Sequence, residues 1–520
     1  MLCIFIWKKF VKVNMWIIFK KEILSKFKSI PFNLSLIFCV ILSISMTYIM
    51  IKTYNINRES YNAGISILEN NLRNSVAYIN LTPYAAKAPE KLSIISMGID
   101  DISGNYTPIS ISWIPRGFER IFGGNYFLSI FEQVDMAIIF KVILALLTIL
   151  IMHNFISKEA EDGNLKLLCS NHISIHEIVW SKYLSGVLVL GLFLFLSFLA
   201  FFISCYFILD FYFSIEEVLR ILISVFIFVL YLSIFALISI FLSLVFKRSS
   251  SVLVTSLLVW IFISFLANGL IALSGKYLVK APPWESIQSQ LDSYYNERSE
   301  ELRKIRHKFP PIGTKCDIGG IIPYAEKEVM YSLQKRYTEE VPIKIEYAAK
   351  KLEIYNLLFD KQIAQLKFIN KISQISPSYL LDDAISRLSF TNYGNYFEFW
   401  EQAMAYREEY VDYIMKNKIY TKFHYFTPLK EHEFPKDLKQ FNAMDDKFSA
   451  EGNFVSKFYF HKYLPTLKLD HLPRFSYKKP ALTKDFSEIR SNILILIMMN
   501  FLLVLLIINR SRNYVIGDLC

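Results

Sequence analysis

The sequence predicts an all-α polytopic membrane protein in which six transmembrane helices carry one mostly helical extracytoplasmic domain. Three observations predict it. The chain of 520 residues is 53% hydrophobic and 16% aromatic, too apolar for one soluble globule. Stretches of about 20 apolar residues, enough to cross a hydrocarbon core roughly 30 Å thick, recur at 30–51, 135–156, 183–209, 221–246, 252–274 and 491–509. The basic residues follow membrane side: Lys20, Lys21, Lys26 and Lys28, then Lys247 and Arg248, then Arg510 and Arg512 lie at one set of span ends, while the turn after the third span carries Asp210, Glu216 and Glu217 before Arg220. Excess lysine and arginine in short loops marks the cytoplasmic face, so both termini are expected there. The net charge of +11 therefore reads as membrane topology, and no nucleic-acid partner is expected.

Residues 1–29 set Trp16, Ile17, Ile18, Ile23, Leu24 and Phe27 against Lys20, Lys21, Lys26 and Lys28. Charges interrupt this helix too often for it to span, so it is expected to lie in the membrane interface. The apolar run after Ile30 is longer than the roughly 7 to 15 residues of a signal-peptide core and is retained as the first span. Residues 52–134 form a first external loop with helical spacing from Tyr61 to Tyr78, followed by an irregular part holding Gly104, Pro108, Pro115, Gly117, Gly123 and Gly124. Span two opens at Asp135 and contains Lys141. An intramembrane lysine is a functional-site candidate by default; at the outer end of a span it can also snorkel to the interface.

The polar stretch 157–182 then interrupts the apolar runs. It has an acidic cluster (Glu159, Glu161, Asp162), a break at Gly163, and a helix with Leu165, Leu167 and Leu168 as apolar positions. A second helix starts at Ser174 with Glu177 three residues on, the spacing of a capping box. This is the shape of a small helix lying across a membrane surface with one face offered to a partner; an ordinary inter-helix loop shares the pattern. Short connections after spans three and four fold spans two to five into one antiparallel bundle, in which Ser224, Ser233, Ser239 and Ser243 suit helix contacts.

Residues 275–490 read as helices. Ile287, Leu291, Tyr294, Leu302 and Ile305 mark one that stops at Pro310 and Pro311, and a second runs from Tyr324 until Pro342 breaks or kinks it. A third, with Ile345, Ala348, Leu352, Tyr355, Phe359, Leu366 and Ile369, ends before Pro377, and a fourth carries Phe397, Trp400, Met404, Tyr410 and Ile414. The aromatic, proline-rich tail 454–477 suits short strands. Residues 510–520 form a cytoplasmic tail.

Catalytic chemistry finds no footing. The nearest approach to a P-loop is Gly275-Lys276, but Leu270 stands where the first glycine is needed and Tyr277 replaces Ser or Thr. No G-x-S-x-G elbow or H-E-x-x-H helix occurs. His172 and His176 lie four apart without a third ligand, and His424, Glu431, His432 and Glu433 read as a surface charge cluster. The cysteines are Cys3, Cys39, Cys169, Cys205, Cys316 and Cys520; with no C-x-x-C pair, neither zinc nor any other metal is expected. Only Cys316 falls in the large external segment, so no internal disulfide staples it.

The run Glu161, Asp162, Gly163, Asn164, Leu165, Leu167, Leu168, Ser170, Ser174, Glu177, Ile178 and Lys182 resembles the cytoplasmic loop of ABC-2 type transporter permeases. It departs at Asn164, where Thr is usual, and at His172, where Pro is usual. Lys20, Lys21 and Glu22 resemble the basic interfacial helix before span one of that family. Asp135, Ser376-Pro377 and Tyr514 resemble a subgroup with a large external domain between spans five and six. The resemblance implies a permease subunit in the cytoplasmic membrane, an exporter driven by a separate ATPase that binds ATP and Mg, so that this chain needs no cofactor and is no enzyme. It implies a homodimer or a pairing with a second permease. It assigns Glu159, Glu161, Asp162, Gly163, Leu165, Leu168, Ser174, Glu177 and Lys182 to the ATPase contact. A permease that transmits force to an external partner is the alternative, as is a membrane anchor or sensor with no ATPase.

Overall fold

Residues 2–112, 114, 118–119, 135–171, 173–280, 282–310, 325–427, 429–434, 439–440, 442–443 and 466–512 are described by the computed structural model. The readings placed on Pro115, Gly117, Gly123, Gly124, His172, Cys316, residues 454–465 and Tyr514 lie outside the described residues.

Helix α1 (Leu2–Phe27) lies along the third span, and the chain breaks at Ser29 before Pro31 in the first turn of α2 (Ile30–Arg73). Proline is tolerated there because a first-turn N–H has no helical partner to lose. With 44 residues, α2 is roughly 66 Å long at 1.5 Å per residue, about twice the thickness of a hydrocarbon core. Its far end therefore belongs to the helical domain. Leu72 is buried in the domain core, and Glu69 accepts hydrogen bonds from Tyr84 (2.6 Å) and Arg474 (3.2 Å). The segment from residue 52 to Arg73 is thus helix where the sequence suggested a loop with helical spacing beginning later.

A two-stranded antiparallel ribbon follows, β1 (Tyr84–Ala86) against β2 (Tyr106–Pro108), with Tyr84 opposite Pro108 and Ala86 opposite Tyr106. Between the strands the loop dips against the helical domain at Gly98. There φ is +51° and a Cβ would stand 2.2 Å from the Thr391 carbonyl, to which Ile99 N–H donates at 2.8 Å. Only glycine fits so close an approach.

The remaining long apolar helices are α3 (Met136–Glu161), α5 (Ile175–Ile208), α6 (Ile215–Val245), α7 (Ser249–Gly275) and α12 (Leu482–Arg512), with the short α4 (Asn164–Ser170) between α3 and α5. With α2 these make six helices, among the described residues, that are long and apolar enough to cross a membrane. Helix α6 is the central post: α3, α5, α7 and α12 all pack on it. Three of its four serines are hydrogen-bonded within the packing, and the buried Ser239 hydroxyl has no hydrogen-bond partner among the described residues. Ser224 and Ser243 donate to the Arg220 and Ile240 carbonyls (2.9 and 2.8 Å), and Ser233 meets the Tyr183 hydroxyl at 2.6 Å.

The helical domain is built from α8 (Trp284–Lys308), α9 (Lys327–Ser373), α10 (Pro377–Leu388) and α11 (Tyr393–Lys416). Helices α8 and α9 form an antiparallel pair sealed by Ile287, Leu291, Ile354 and Tyr355. Ser376 caps α10, and Leu380, Leu381, Ala384, Ile385 and Leu388 make one stripe no more than 1% exposed. That stripe joins the buried cluster of the spans, so α10 seats the domain directly on α6 and α12.

Helix α9 corrects the expected break: it runs for 47 residues with Pro342 inside it. An interior proline costs roughly 3 kcal/mol, and buried contacts beside it oppose that cost. Val341 is fully buried, and Glu340, also with no exposure, gathers Arg336 (2.6 Å), Lys344 (3.0 Å) and, from α8, Arg306 (3.4 Å). Burial raises the Glu340 carboxyl, but the hydrogen bonds and charges of Arg336 and Lys344 outweigh it and hold it below the ordinary range. A carboxyl with a depressed folded pKa contributes stability that is complete above its unfolded value, about 4.3, and lost as pH falls through the folded one. In the full chain, Glu340→Gln is expected to destabilise the domain by roughly 1–3 kcal/mol at neutral pH and to flatten the loss of stability below about pH 4. Parallel pH curves for the two proteins, followed by circular dichroism, would count against this assignment.

Candidate functional site at the elbow

The polar stretch between α3 and α5 folds into an elbow whose shape is set locally. Past Met152, α3 loosens into turns at 153–156, recovers as helix over Ser157–Glu161, and stops. Gly163 then takes φ +73° with open space around it, so the glycine is required by backbone conformation and not by crowding. Helix α4 follows and ends at Ser170. At Ser174 the capping box forms in full: the Glu177 N–H donates to Ser174 Oγ (3.3 Å) while Ser174 N–H donates to Glu177 Oε2 (2.8 Å), which starts α5.

Lys182, about two turns into α5, is the centre of this region. Its side chain is 3% exposed, and its ammonium lies 3.0 Å from Glu22 Oε1, 3.0 Å from Glu159 Oε1 and 2.5 Å from the Phe155 carbonyl oxygen. Three segments distant in sequence, α1, the elbow and α5, thus converge on one charge. Lys26 joins them from α1, its Nζ 4.6 Å above the Phe155 ring and 3.3 Å from the Ile151 carbonyl. Burial, opposed by the charge of Glu22, holds the Lys26 ammonium below its ordinary range.

The residues predicted for a partner contact divide into two sets. Leu165 and Glu177 are buried, and Lys182 with them, while Glu159 and Glu22 turn inward. Leu165 packs with Met152, Phe155, Ile178 and Leu244. These side chains build the joint and do not form its outer surface. Glu161, Asp162 and Ser174 are exposed, and Leu168 is half-buried. Glu161 is already engaged: its carboxylate accepts from Ser249 N–H (2.8 Å) and Ser249 Oγ (2.7 Å), capping the start of α7 and tying it to the elbow. Leu167, an apolar position of the sequence pattern that was not among the residues expected at the ATPase contact, is 64% exposed in the middle of α4. The signal was present in its phase: in a short helix whose Leu165 faces the core, Leu167 must point away. Lys20 and Lys21 are exposed on α1.

At the opposite end of α3, Asp135 caps the helix through the Ile138 N–H (2.7 Å) and also accepts from Met97 N–H (3.0 Å) in the first loop. Lys141 sits in a π-helical turn, Phe140–Leu144, and reaches both oxygens of Asp382 on α10 (3.0 and 2.8 Å). The ammonium is thus spent on an ion pair that bonds the span to the helical domain. Beside it lies a larger network that the sequence analysis did not single out. Arg220 of α6, 1% exposed, donates to Asp485 of α12 at 2.7 Å, and Arg387 of α10 lies 2.7 Å from the other oxygen of Asp485 and 2.7 Å from Glu398. Charged residues at the ends of apolar runs were the available signal. Burial raises the Glu398 carboxyl, but Lys484 and Arg387 outweigh that and leave it below its ordinary range. Among the described residues, no group of three or more His, Cys, Asp or Glu side chains is arranged to hold a metal ion.

Removing one member of a buried pair strands the others and costs roughly 3–5 kcal/mol, whereas neutralising the whole set is far milder. Lys182→Met is therefore expected to lower the thermal unfolding temperature sharply, and Lys182→Met combined with Glu22→Gln and Glu159→Gln to recover most of the loss. A triple variant less stable than the single one would refute this role for Lys182.

No curated protein matches the chain. A family model described as ABC-2 family transporter protein matches residues 16–339, from the middle of α1 through α7 and into α9, which includes the elbow. The match covers more than half of the chain and agrees with six long apolar helices around a central post, and the protein belongs to the ABC-2 family of transporter proteins.

Proposed function

We propose that this chain is the membrane-spanning permease of an ABC exporter, driven by a separate ATPase that docks on the elbow from the cytoplasm. The observation that carries the reading is the Lys182 joint. An elbow fixed to α1, α3 and α5 by one caged charge cannot be displaced alone, so a push on it must tilt the spans it terminates. In this reading energy enters through the elbow from another chain, consistent with the lack of a P-loop in the sequence. The exposed Leu167 side chain, with Asp162 and Ser174 around it, is then the face offered to the ATPase, and the buried set transmits the motion. Two copies, or one copy with a second permease, would bring two ATPases together.

A second reading, force delivered to an external partner, is favoured by a specific feature. The helical domain is bonded to α3, α6 and α12 through Lys141–Asp382, Arg220–Asp485 and Arg387–Asp485. Tilting those spans must move the domain with them.

The test is Leu167→Asp. Because the side chain is already in solvent, the variant is expected to fold with unchanged thermal stability while recovery of a co-purifying chain that contains a P-loop falls on the order of tenfold or more, as for loss of an interface hot spot. Unchanged recovery together with unchanged ATP-driven transport would rule out the Leu167 face as the docking face.

A further inference from the structure

The geometry points to a binding site for anionic phospholipid of the cytoplasmic leaflet on the outward face of α1. Lys20, Lys21 and Lys28 share this face with Trp16, Ile17 and Leu24, around a shallow hollow of about 610 Å³. The three apolar side chains are 63%, 58% and 49% exposed. The inward face is a different surface: Ile18 is buried in the bundle, and Glu22 is turned to Lys182.

Glu22 is the one acidic residue in the first 29. Because it is committed to the Lys182 joint, the outward face holds three ammonium groups without a carboxylate partner among the described residues. Charge complementarity calls for an anion, and the interleaved tryptophan, isoleucine and leucine call for hydrocarbon. A phospholipid with net negative charge satisfies both at once, with its headgroup on the lysines and its acyl chains along the apolar residues. Tryptophan is favoured at that depth of a bilayer, and basic residues beside the cytoplasmic leaflet are drawn to its anionic lipids. An acidic soluble protein would meet the lysines but leave the apolar residues wet. The inference rests on the orientation that puts the elbow in the cytoplasm and needs no ATPase. Since α1 seats Glu22 at the joint, a bound anionic lipid also steadies the elbow.

The full chain is purified in a mild detergent and titrated with phosphatidylglycerol or phosphatidylcholine, reading retained lipid by native mass spectrometry and the unfolding temperature in parallel. Phosphatidylglycerol is expected to be retained and to raise the unfolding temperature. Replacing Lys20→Gln, Lys21→Gln and Lys28→Gln together is expected to weaken its binding on the order of 100-fold, and Lys→Arg at the same three positions to restore it. All three positions are exposed, so the unliganded unfolding temperature of the glutamine variant should match that of the wild type. Equal retention of phosphatidylcholine, or undiminished phosphatidylglycerol binding by the glutamine variant, would overturn the inference. A glutamine variant that keeps its lipid but loses the ATPase would assign the face to a protein instead. Because no ATPase enters the lipid titration, its failure is distinct from failure of the elbow as a docking site.

Discussion

The Lys182 side chain is only 3% exposed, and three segments of the chain are arranged to supply partners to its amine. In a low-dielectric setting an ammonium must be neutralised by the protein itself, and here Glu22, Glu159 and the Phe155 carbonyl do so together. The set carries one negative charge in excess, which Lys26 offsets from beside the Phe155 ring. A surface ion pair of the same length would contribute 0–1 kcal/mol at about room temperature and would tolerate sliding. A caged one tolerates little, because any displacement that separates Lys182 from one carboxylate exposes a buried charge. Position and energy are therefore locked to each other at the elbow.

The same logic governs the other end of the bundle. Asp485 is shared by two guanidiniums, Arg220 from α6 and Arg387 from α10, and Lys141 from α3 meets Asp382 from α10. An apolar seam alone would let α10 slide over the spans, since hydrophobic contact is non-directional. The charges remove that freedom. Helix α3 is the one element with both fixtures, Glu159 at the elbow and Lys141 toward the domain. Its π-helical turn around Lys141 inserts an extra residue into the helix, which re-aims side chains at the place where a charge must find its partner.

Much of this was legible in the sequence wherever the determinant is local. The Ser174 and Glu177 capping box, the break at Gly163 and the apolar runs of the six spans depend on neighbours within a few residues, and each appears in the fold. What was hidden depends on distant partners. Beside Pro342, Val341 is buried in the domain core and Glu340 is reached from the neighbouring helix by Arg306, contacts that propensity cannot register. Lys141 looked free to snorkel because Asp382 stands 241 residues away. At the elbow, residue types suited to a partner surface proved to face inward: Glu177 is spent on the Ser174 cap, and Glu159 is paired with Lys182, a partner that only the fold reveals. Leu167, apolar and not assigned to the contact from sequence, is a large apolar side chain left outside.

The shared carboxylate of Asp485 also imposes an order on biosynthesis. Arg220 and Asp485 are 265 residues apart, so at roughly 5–20 residues per second the ribosome needs some tens of seconds to deliver the second after the first. During that interval α6 is already a complete apolar segment with a guanidinium near one end. Glu216, one turn earlier in the same helix and 2.9 Å from Arg220, is a counter-charge that arrives with it. The nascent chain thus carries its own temporary neutralisation, and the last span to emerge completes the set that fixes the helical domain to the bundle.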